Sequence, residues 1–350
     1  MAPAPNSGSS IQSSEAWPGL KERQESWRAR LNIDESQHIR LVELNHVIYQ
    51  HVDVEREIEF LGDFGFEIVK RADKTIWFGG YGPHPYSYVF KEGESPKFLG
   101  GTFTVESYSD LERAAKRQNA TPIQKLEDAP GGGFLVTIYD PAGFPINLLW
   151  GQMSERLAEQ KPNIDFNYEK EKHRLGAYQR FKRGPAAVYR VGHFGICYNN
   201  LDEAFDFYVR TFNMVPSDIV FVQPGEKKQE DVSAFFHLDR GELFTDHHTF
   251  FIGRSPKQRV HHCSFEVHDF DTQLLGHQWL ERKNYKPVWG VGRHLLGSQI
   301  FDYWWDTSGF MVEHYADGDL VNKETPVGRI IATDENMQVW GPDRPVEFLA

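Results

Sequence analysis

Residues 259–267 read R-V-H-H-C-S-F-E-V, and residues 301–313 read F-D-Y-W-W-D-T-S-G-F-M-V-E. Both runs are apolar with polar residues at intervals, a pattern typical of β-strands, in which alternate side chains share a face. Glu313 ends the second run in the apolar setting F-M-V-E-H-Y, where a carboxylate costs free energy to bury unless a cation compensates its charge. The sequence therefore predicts a cation beside Glu313, and we expect it to be a metal ion.

The composition limits the kind of partner. The chain has 350 residues, a formal charge of −12, and many rings: 26 Phe, 14 Tyr and 9 Trp. This length predicts one or two domains with a sizeable core. Nucleic acid and anionic membrane surfaces are excluded as partners, because either would need a basic protein face. We therefore expect a small-molecule substrate in a ring-lined pocket.

The cysteines and the N-terminus bear on the compartment. Cys197 and Cys263, the two cysteines, lie in strand-like segments, which excludes a disulfide framework and fits a reducing environment. There is no long apolar run for a membrane-spanning helix, and the first ten residues, M-A-P-A-P-N-S-G-S-S, lack the features of a signal or transit peptide. We expect a cytoplasmic protein whose residues 1–15 are disordered.

The chain contains an internal repeat. Four units of about fifty residues each run strand, helix, then several strands. D-P-A-G-F-P-I-N at 140–147 matches D-T-S-G-F-M-V-E at 306–313, and L-N-H-V at 44–47 matches V-G-H-F at 191–194. The pattern predicts an α+β fold of four βαβββ modules paired into two domains. The expected divisions are an N-terminal extension with a short helix at 1–38, a first domain at 39–151, a linker at 152–184, a second domain at 185–320 and a tail at 321–350.

The two copies differ at two positions that carry polar residues in the second copy. Gly100 stands at the position of His262, and Asn147 stands at the position of Glu313. His46 remains in the first copy without these companions. Only the C-terminal copy keeps the full polar set, so we expect no intact metal site in the first domain.

These residues resemble the type I extradiol ring-cleavage dioxygenases, two-domain members of the vicinal oxygen chelate superfamily with the glyoxalase-like fold. The resemblance covers about residues 41–317, and its specific part is residues 188–317. It implies that His193, His262 and Glu313 are the metal ligands. Two imidazoles and one carboxylate on one face of a metal are the ligand set of non-haem iron oxygenases.

The resemblance also assigns residues around the metal. His294 follows an arginine, Tyr303 comes nine residues later, and Glu313 ten residues after that, as in the family. His294 and Tyr303 would hydrogen-bond the substrate hydroxyls, and His261 would support the ligands. Leu295 and Leu296 depart from the small polar residues of many relatives, which predicts a larger or more apolar substrate edge.

The family's acid–base histidine falls within D-H-H-T-F-F at 246–251. The H-H-T form favours His248, whereas uninterrupted counting in some relatives favours His247. Since neighbouring strand residues face opposite sides, only one of them can face the metal. We choose His248 as the catalytic residue and assign His247 to the surroundings of the site.

The function implied by the resemblance is extradiol cleavage of a catechol-type aromatic diol, with both atoms of dioxygen inserted. Fe(II) is the implied cofactor, and Mn(II) suits the same ligands. The expected partners are a small aromatic diol, O2 and further copies of the chain in a homo-oligomer. The alternatives are a metal-dependent glyoxalase-like isomerase or epimerase, with ligands from both halves, and a non-catalytic binding protein of the same fold.

Some residues are assigned no role in the reaction. Asp306 and Gly309 are interpreted as turn residues. The tail after residue 321 either covers the pocket or forms an oligomer contact. Six histidines are expected to be surface or hydrogen-bonded residues: His46, His51, His84, His237, His268 and His277.

Overall fold

The structure is a computed structural model that describes residues 20–154, 164–225 and 229–349. The predicted disorder of residues 1–15 lies outside this range, as does the middle of the predicted linker. No helix within these three ranges is long and apolar enough to cross a bilayer.

The described chain begins with a short strand, β1 (Leu20–Glu22), and a helix, α1 (Gln24–Leu31). The run L-K-E-R-Q-E-S-W-R-A-R-L at 20–31 predicts a helix over residues 19–32, and the helix within the described residues is shorter. Its Trp27 is buried and meets Phe205 of the second half edge to face, with ring centroids 6.4 Å apart. The segment after residue 20 is thus packed onto the body of the protein.

The first half of the chain forms two modules. Module 1 contains β2 (Leu41–His51), α2 (Val54–Phe64), β3 (Glu67–Ala72), β4 (Thr75–Gly79) and β5 (Tyr88–Glu92). Module 2 contains β6 (Lys97–Val105), α3 (Tyr108–Ala115), β7 (Gln124–Lys125), β8 (Phe134–Tyr139) and β9 (Pro145–Trp150). The strands form one eight-stranded sheet in the order β3-β4-β5-β2-β6-β9-β8-β7. The modules join where β2 pairs with β6.

The second half repeats this plan. Module 3 contains β10 (Arg190–Tyr198), α4 (Leu201–Thr211), β11 (Met214–Val222), β12 (Glu230–Leu238), β13 (Thr245–Asp246) and β14 (Phe250–Arg254). Module 4 contains β15 (Arg259–Glu266), α5 (Phe270–Arg282), β16 (Lys286–Arg293), β17 (Ile300–Trp305) and β18 (Met311–Ala316). The tail adds β19 (Leu320–Val321) and β20 (Val327–Ile331).

The second sheet has ten strands in the order β1-β20-β11-β12-β14-β10-β15-β18-β17-β16. Its last eight strands repeat the order of the first sheet, and the terminal strands β1 and β20 extend one edge. The prediction of an α+β fold with four βαβββ modules in two paired sets is confirmed. Buried side chains of both halves form one continuous apolar core.

Strand register confirms the internal repeat. In the first sheet Thr102 pairs with both His46 and Asn147, and in the second sheet Ser264 occupies the same place between its neighbours. Three pairs of positions are therefore equivalent: His46 with His193, Gly100 with His262, and Asn147 with Glu313.

Two local features differ from what the sequence predicts. The run S-D-L-E-R at 109–113 predicts a helix capped by Ser109 or Asp110, but helix α3 is capped by Ser107, whose Oγ accepts the backbone N–H of Asp110 at 3.2 Å. The Ser107 hydroxyl also donates to the Asp110 carboxylate. Strand β11 was not predicted, because its Pro216 is a residue that sheet interiors usually exclude. A bulge after Pro216 accommodates it.

Candidate functional site

Three neighbouring strands bring the predicted ligands together. Strand β15 lies between β10 and β18, and its Ser264 is paired with both His193 and Glu313. His262 precedes Ser264 by two residues and so lies on the same face of the sheet. All three ligand side chains are buried. The arrangement thus depends on register alone and requires no loop.

The donor atoms form a compact triangle. Nε2 of His193 and Nε2 of His262 are 3.2 Å apart. Oε2 of Glu313 lies 3.1 Å from the first nitrogen and 3.3 Å from the second. Adjacent ligands of a first-row metal ion with bonds of about 2.1 Å are roughly 3 Å apart. The three side chains therefore fit a single ion at one face.

The electrostatics of the triangle also fit a metal. Within the described part of the chain neither oxygen of Glu313 accepts a hydrogen bond, although the side chain is fully buried. Burial would raise the pKa of Glu313, but His193 and His262 hold it below its ordinary value. Burial lowers the pKa of His262 to about 4, so its imidazole is neutral and has a lone pair to offer. A buried carboxylate without donors needs a cation.

His261 lies directly behind one ligand. Its Nδ1 is 2.7 Å from Nδ1 of His262, on the side of that ring opposite the Nε2 triangle. Its own ring packs edge-on against Phe251 and Phe348. The packing holds both imidazoles in place.

His247 and His248 lie in a bend between β13 and β14, and not on a strand as expected. Their side chains nevertheless diverge. The ring of His248 lies 4.2 Å from that of His193, centroid to centroid, and lines the cavity. His247 turns away, and its Nε2 lies 2.8 Å from Oδ2 of Asp218 on β11. Sequence reasoning missed Asp218 because it missed β11.

His294 and Tyr303 form a pair on the other side of the cavity. The Tyr303 hydroxyl is 2.8 Å from Nε2 of His294, and Nδ1 of His294 is 2.9 Å from the carbonyl of Met337. A carbonyl can only accept, so Nδ1 carries the hydrogen. Burial lowers the pKa of His294, and in the neutral ring Nε2 then accepts from Tyr303.

A cavity of about 270 Å³ opens in front of the triangle. His193, His248, His262, His294 and Tyr303 line its inner end. The outer wall is mostly apolar and includes side chains of the tail. These outer residues are Val220, Phe235, Leu296, Met337, Phe348 and Leu349. Of the two roles left open for the tail, the structure shows the covering of the pocket.

The first half has no equivalent triangle. Gly100 has φ +103°, and a Cβ there would come within 2.7 Å of the Asn147 amide nitrogen. The Asn147 amide accepts from the Thr137 hydroxyl at 2.7 Å and donates to the Leu99 carbonyl at 3.0 Å. The position equivalent to Glu313 is thus satisfied by neutral partners, and it needs no ion.

Comparisons with known proteins agree with this geometry. The family model of the Glyoxalase/Bleomycin resistance protein/Dioxygenase superfamily matches residues 190–314. Metapyrocatechase 2 of Cupriavidus necator is 32% identical over 318 residues, which cover 87% of this chain and 91% of that protein.

Solved structures show the same fold. Homoprotocatechuate 2,3-dioxygenase from Arthrobacter globiformis superposes with a TM-score of 0.72 at 15% identity, covering 89% of this chain and 91% of that one. An Mn(II)-bound glyoxalase from Novosphingobium aromaticivorans gives a TM-score of 0.70 at 19% identity, covering 89% and 94%. With the sequence relationship above, these findings show that the chain belongs to the type I extradiol ring-cleavage dioxygenases of the vicinal oxygen chelate superfamily.

Proposed function

We propose that the protein opens the ring of a catechol-type aromatic diol beside its two hydroxyls and inserts both atoms of dioxygen, at an Fe(II) ion held by His193, His262 and Glu313. Mn(II) would suit the same donors. The observation that carries this proposal is the buried Glu313 carboxylate, which has no hydrogen-bond donor among the residues that the structure describes and lies 3.1 Å and 3.3 Å from two imidazole nitrogens. The bound ion would supply open positions for both reactants and a path for electrons between them.

The cavity would hold the diol by its ring and its hydroxyls. The His294–Tyr303 pair offers hydrogen bonds at the inner end, where the diol oxygens would lie. Leu296, Met337 and Phe348 would cover the rest of the ring and exclude water. A single ring with one apolar substituent suits this volume and lining.

His248 would accept the proton of the diol and later return it. Nε2 of His247 donates to Asp218, so Nδ1 of His247 is left as an acceptor for Nδ1–H of His248, 3.1 Å away. The chain of hydrogen bonds leaves Nε2 of His248 with its lone pair free for the substrate. Burial lowers the pKa of His248 and keeps the free ring in this basic form.

The glyoxalase-like alternative is less well supported. It expects metal ligands from both halves, but the first half has Gly100 and Asn147 at the equivalent positions. Its Asn147 is already satisfied by Thr137 and Leu99. The structural likeness to a glyoxalase concerns the fold alone.

The decisive experiment is oxygen uptake by protein loaded with Fe(II) without air and supplied with a panel of catechols. We expect one O2 consumed per substrate and a yellow semialdehyde-type product. His193→Ala should abolish turnover, whereas His46→Ala, its equivalent in the first half, should keep it. The absence of uptake with every catechol, together with turnover of a thiol adduct with Ni(II) or Zn(II), would contradict the proposal.

A further inference from the structure

A second buried group of ligand-type side chains joins the two halves of the molecule. It consists of His51 at the end of β2, Glu57 on α2, and Asp306 in the turn between β17 and β18. One nitrogen or oxygen atom of each lies within 4.8 Å of the others. His51 and Glu57 are fully buried, and Asp306 is only 7% exposed. The sequence predicted ordinary roles for His51 and Asp306.

The two carboxylates are incompletely satisfied. Glu57 accepts from the Thr307 hydroxyl through Oε2, but its Oε1 has no hydrogen-bond partner among the described residues. Asp306 accepts the backbone N–H groups of Ser308 and Phe310 through Oδ1, but its Oδ2 has no partner in the same part of the chain. Burial raises the pKa of both carboxyls, and Asp306 raises that of Glu57 further. Two buried carboxylates, each with an oxygen that lacks a hydrogen-bond donor, need a positive charge between them.

The first half contains a matched counterpart in which the same turn is satisfied. Asp140 is the equivalent of Asp306 in the repeated D-x-x-G-F motif, and its Oδ1 likewise accepts two backbone N–H groups of its turn. Its Oδ2, however, accepts from the hydroxyls of Tyr198 at 2.5 Å and Tyr208 at 3.0 Å. Tyr198 is the register equivalent of His51. Neutral donors are therefore enough to satisfy the aspartate of a D-x-x-G-F turn. The second acid beside Asp306, Glu57, is not needed for the turn and requires another explanation.

We propose that His51, Glu57 and Asp306 bind a divalent cation, at a site separate from the cavity. Nδ1 of His51 faces the cluster, 3.7 Å from Oε2 of Glu57 and 2.8 Å from the Ser308 hydroxyl, while its Nε2 is hydrogen-bonded to the Tyr88 hydroxyl. The ion would take the place of the Ser308 hydroxyl at Nδ1. Burial lowers the pKa of His51 to about 3, so the ring is neutral and can act as a ligand. Two carboxylates balance the charge of the ion, and the mixed oxygen and nitrogen donors suit Mn(II) or Zn(II).

This cation links the first half of the chain to the β17–β18 hairpin of the second half. The turn that contains Asp306 connects β17, which carries Tyr303, with β18, which carries Glu313. Ser308 of the same turn already contacts His51 at 2.8 Å. A metal between β2, α2 and this turn holds the base of the hairpin whose strands build the cavity.

The test is metal stoichiometry after equilibrium dialysis of metal-depleted protein against Mn(II) and removal of loosely held ions. Wild type should hold two equivalents per chain. Asp306→Asn and Glu57→Gln should each hold one, and Glu313→Gln, which lacks the cavity site, should also hold one. Asp140→Asn is the matched control and should hold two. In Glu313→Gln protein Mn(II) should raise the thermal midpoint, and adding Asp306→Asn should remove that increase.

One equivalent in wild type, with no effect of Mn(II) on the thermal midpoint of Glu313→Gln, would overturn the proposal and would indicate that Glu57 and Asp306 share a proton. Two equivalents in both Asp306→Asn and Glu57→Gln would also overturn it, because the second ion would then bind elsewhere. Because Glu313→Gln separates the two sites, a failure here does not bear on the dioxygenase site.

Discussion

At the scale of single residues, Glu313 determines what the cavity can bind. Its carboxylate is buried without a hydrogen-bond donor from any described residue, a state that is costly in the absence of a cation. We predict that Glu313→Gln lowers metal affinity at the cavity site by more than the roughly 10–100-fold that loss of a ligand's own hydrogen-bond partner costs. Turnover should be lost. In chelator the variant should unfold at or above the wild-type temperature, because the unpaired buried charge is gone.

Calorimetry or fluorescence-monitored melting, with and without metal, checks this prediction. The wild type should be the more stable protein only when metal is present. A variant that melts well below wild type in chelator would show that Glu313 has a stabilising partner other than a cation.

The hydrogen bonds from Asp218 through His247 to His248 predict graded effects on the reaction. His248→Gln should lower kcat by roughly 10²–10⁴-fold, the usual contribution of a general base. Asp218→Asn should lower it less, by about 10–100-fold, because it only fixes the hydrogen positions of the two rings. Metal content should be unchanged in both. Steady-state oxygen uptake and metal analysis check this order, and an effect of Asp218→Asn equal to that of His248→Gln would contradict it.

At the scale of elements, helix α5 depends on Asp269, the residue that immediately precedes it. Asp269 caps it by accepting from the backbone N–H of Thr272 at 3.0 Å and from its hydroxyl at 2.6 Å. Asp269→Ala should lower the free energy of unfolding by about 1 kcal/mol, whereas Asp269→Asn, which can still cap, should cost less.

The same cap predicts a pH dependence. Burial would raise the pKa of Asp269, but the bonds from Thr272 and the proximity of His268 outweigh burial and lower it. A carboxyl with a lowered pKa stabilises the fold above its ordinary range and loses that contribution as the pH falls through the folded value. The advantage of wild type over Asp269→Asn should therefore shrink below about pH 4. Urea unfolding at pH 7 and pH 3 measures it, and an advantage that grows in acid would contradict the assignment.

The tail is the element that closes the cavity. The ring of Phe348 lies 4.9 Å from that of Tyr303 and 4.8 Å from that of Trp289, between centroids. Phe348→Ala should raise KM for aromatic diols by roughly 10–150-fold, since burial of such a ring against a ligand contributes about 1.5–3 kcal/mol. Val346→Ala, in the same short 3₁₀ helix (Val346–Phe348) but 81% exposed, is the control and should leave KM unchanged. A change in kcat without a change in KM would contradict a role in covering the substrate.

At the scale of the whole molecule, the two sheets meet through closely packed residues. A Cβ on Gly101 of β6 would come within 2.2 Å of the Phe194 ring on β10, so no side chain fits there. Gly101→Ala should lower the free energy of unfolding by about 1–3 kcal/mol. Gly62→Ala, on an exposed helical position with open space, should raise it by up to about 1 kcal/mol. Equal effects in urea unfolding would show that the halves are not tightly packed at Gly101.

The local pattern of the sequence was enough to predict the repeat and the modules, and the resemblance to a known family implied the three proposed ligands of the cavity. Strand alternation and the two D-x-x-G-F motifs are short-range features of the sequence. The register of the paired strands then decides which of these residues lie side by side in the sheet. Strand β11 was missed because it contains Pro216, and a proline usually interrupts a strand. The bulge that accommodates this proline cannot be inferred from the sequence. Asp218, which lies on that strand, was missed with it.

What the sequence alone determined is which residues could bind a metal in the second half and that the first half could not do so in the same way. Only the tertiary structure decided that Phe348 covers the cavity, that His247 meets Asp218, and that His51 and Glu57 face Asp306. Each of these contacts joins segments far apart in the chain. Their pairing depends on how the modules and the tail pack together, and no local periodicity encodes that packing.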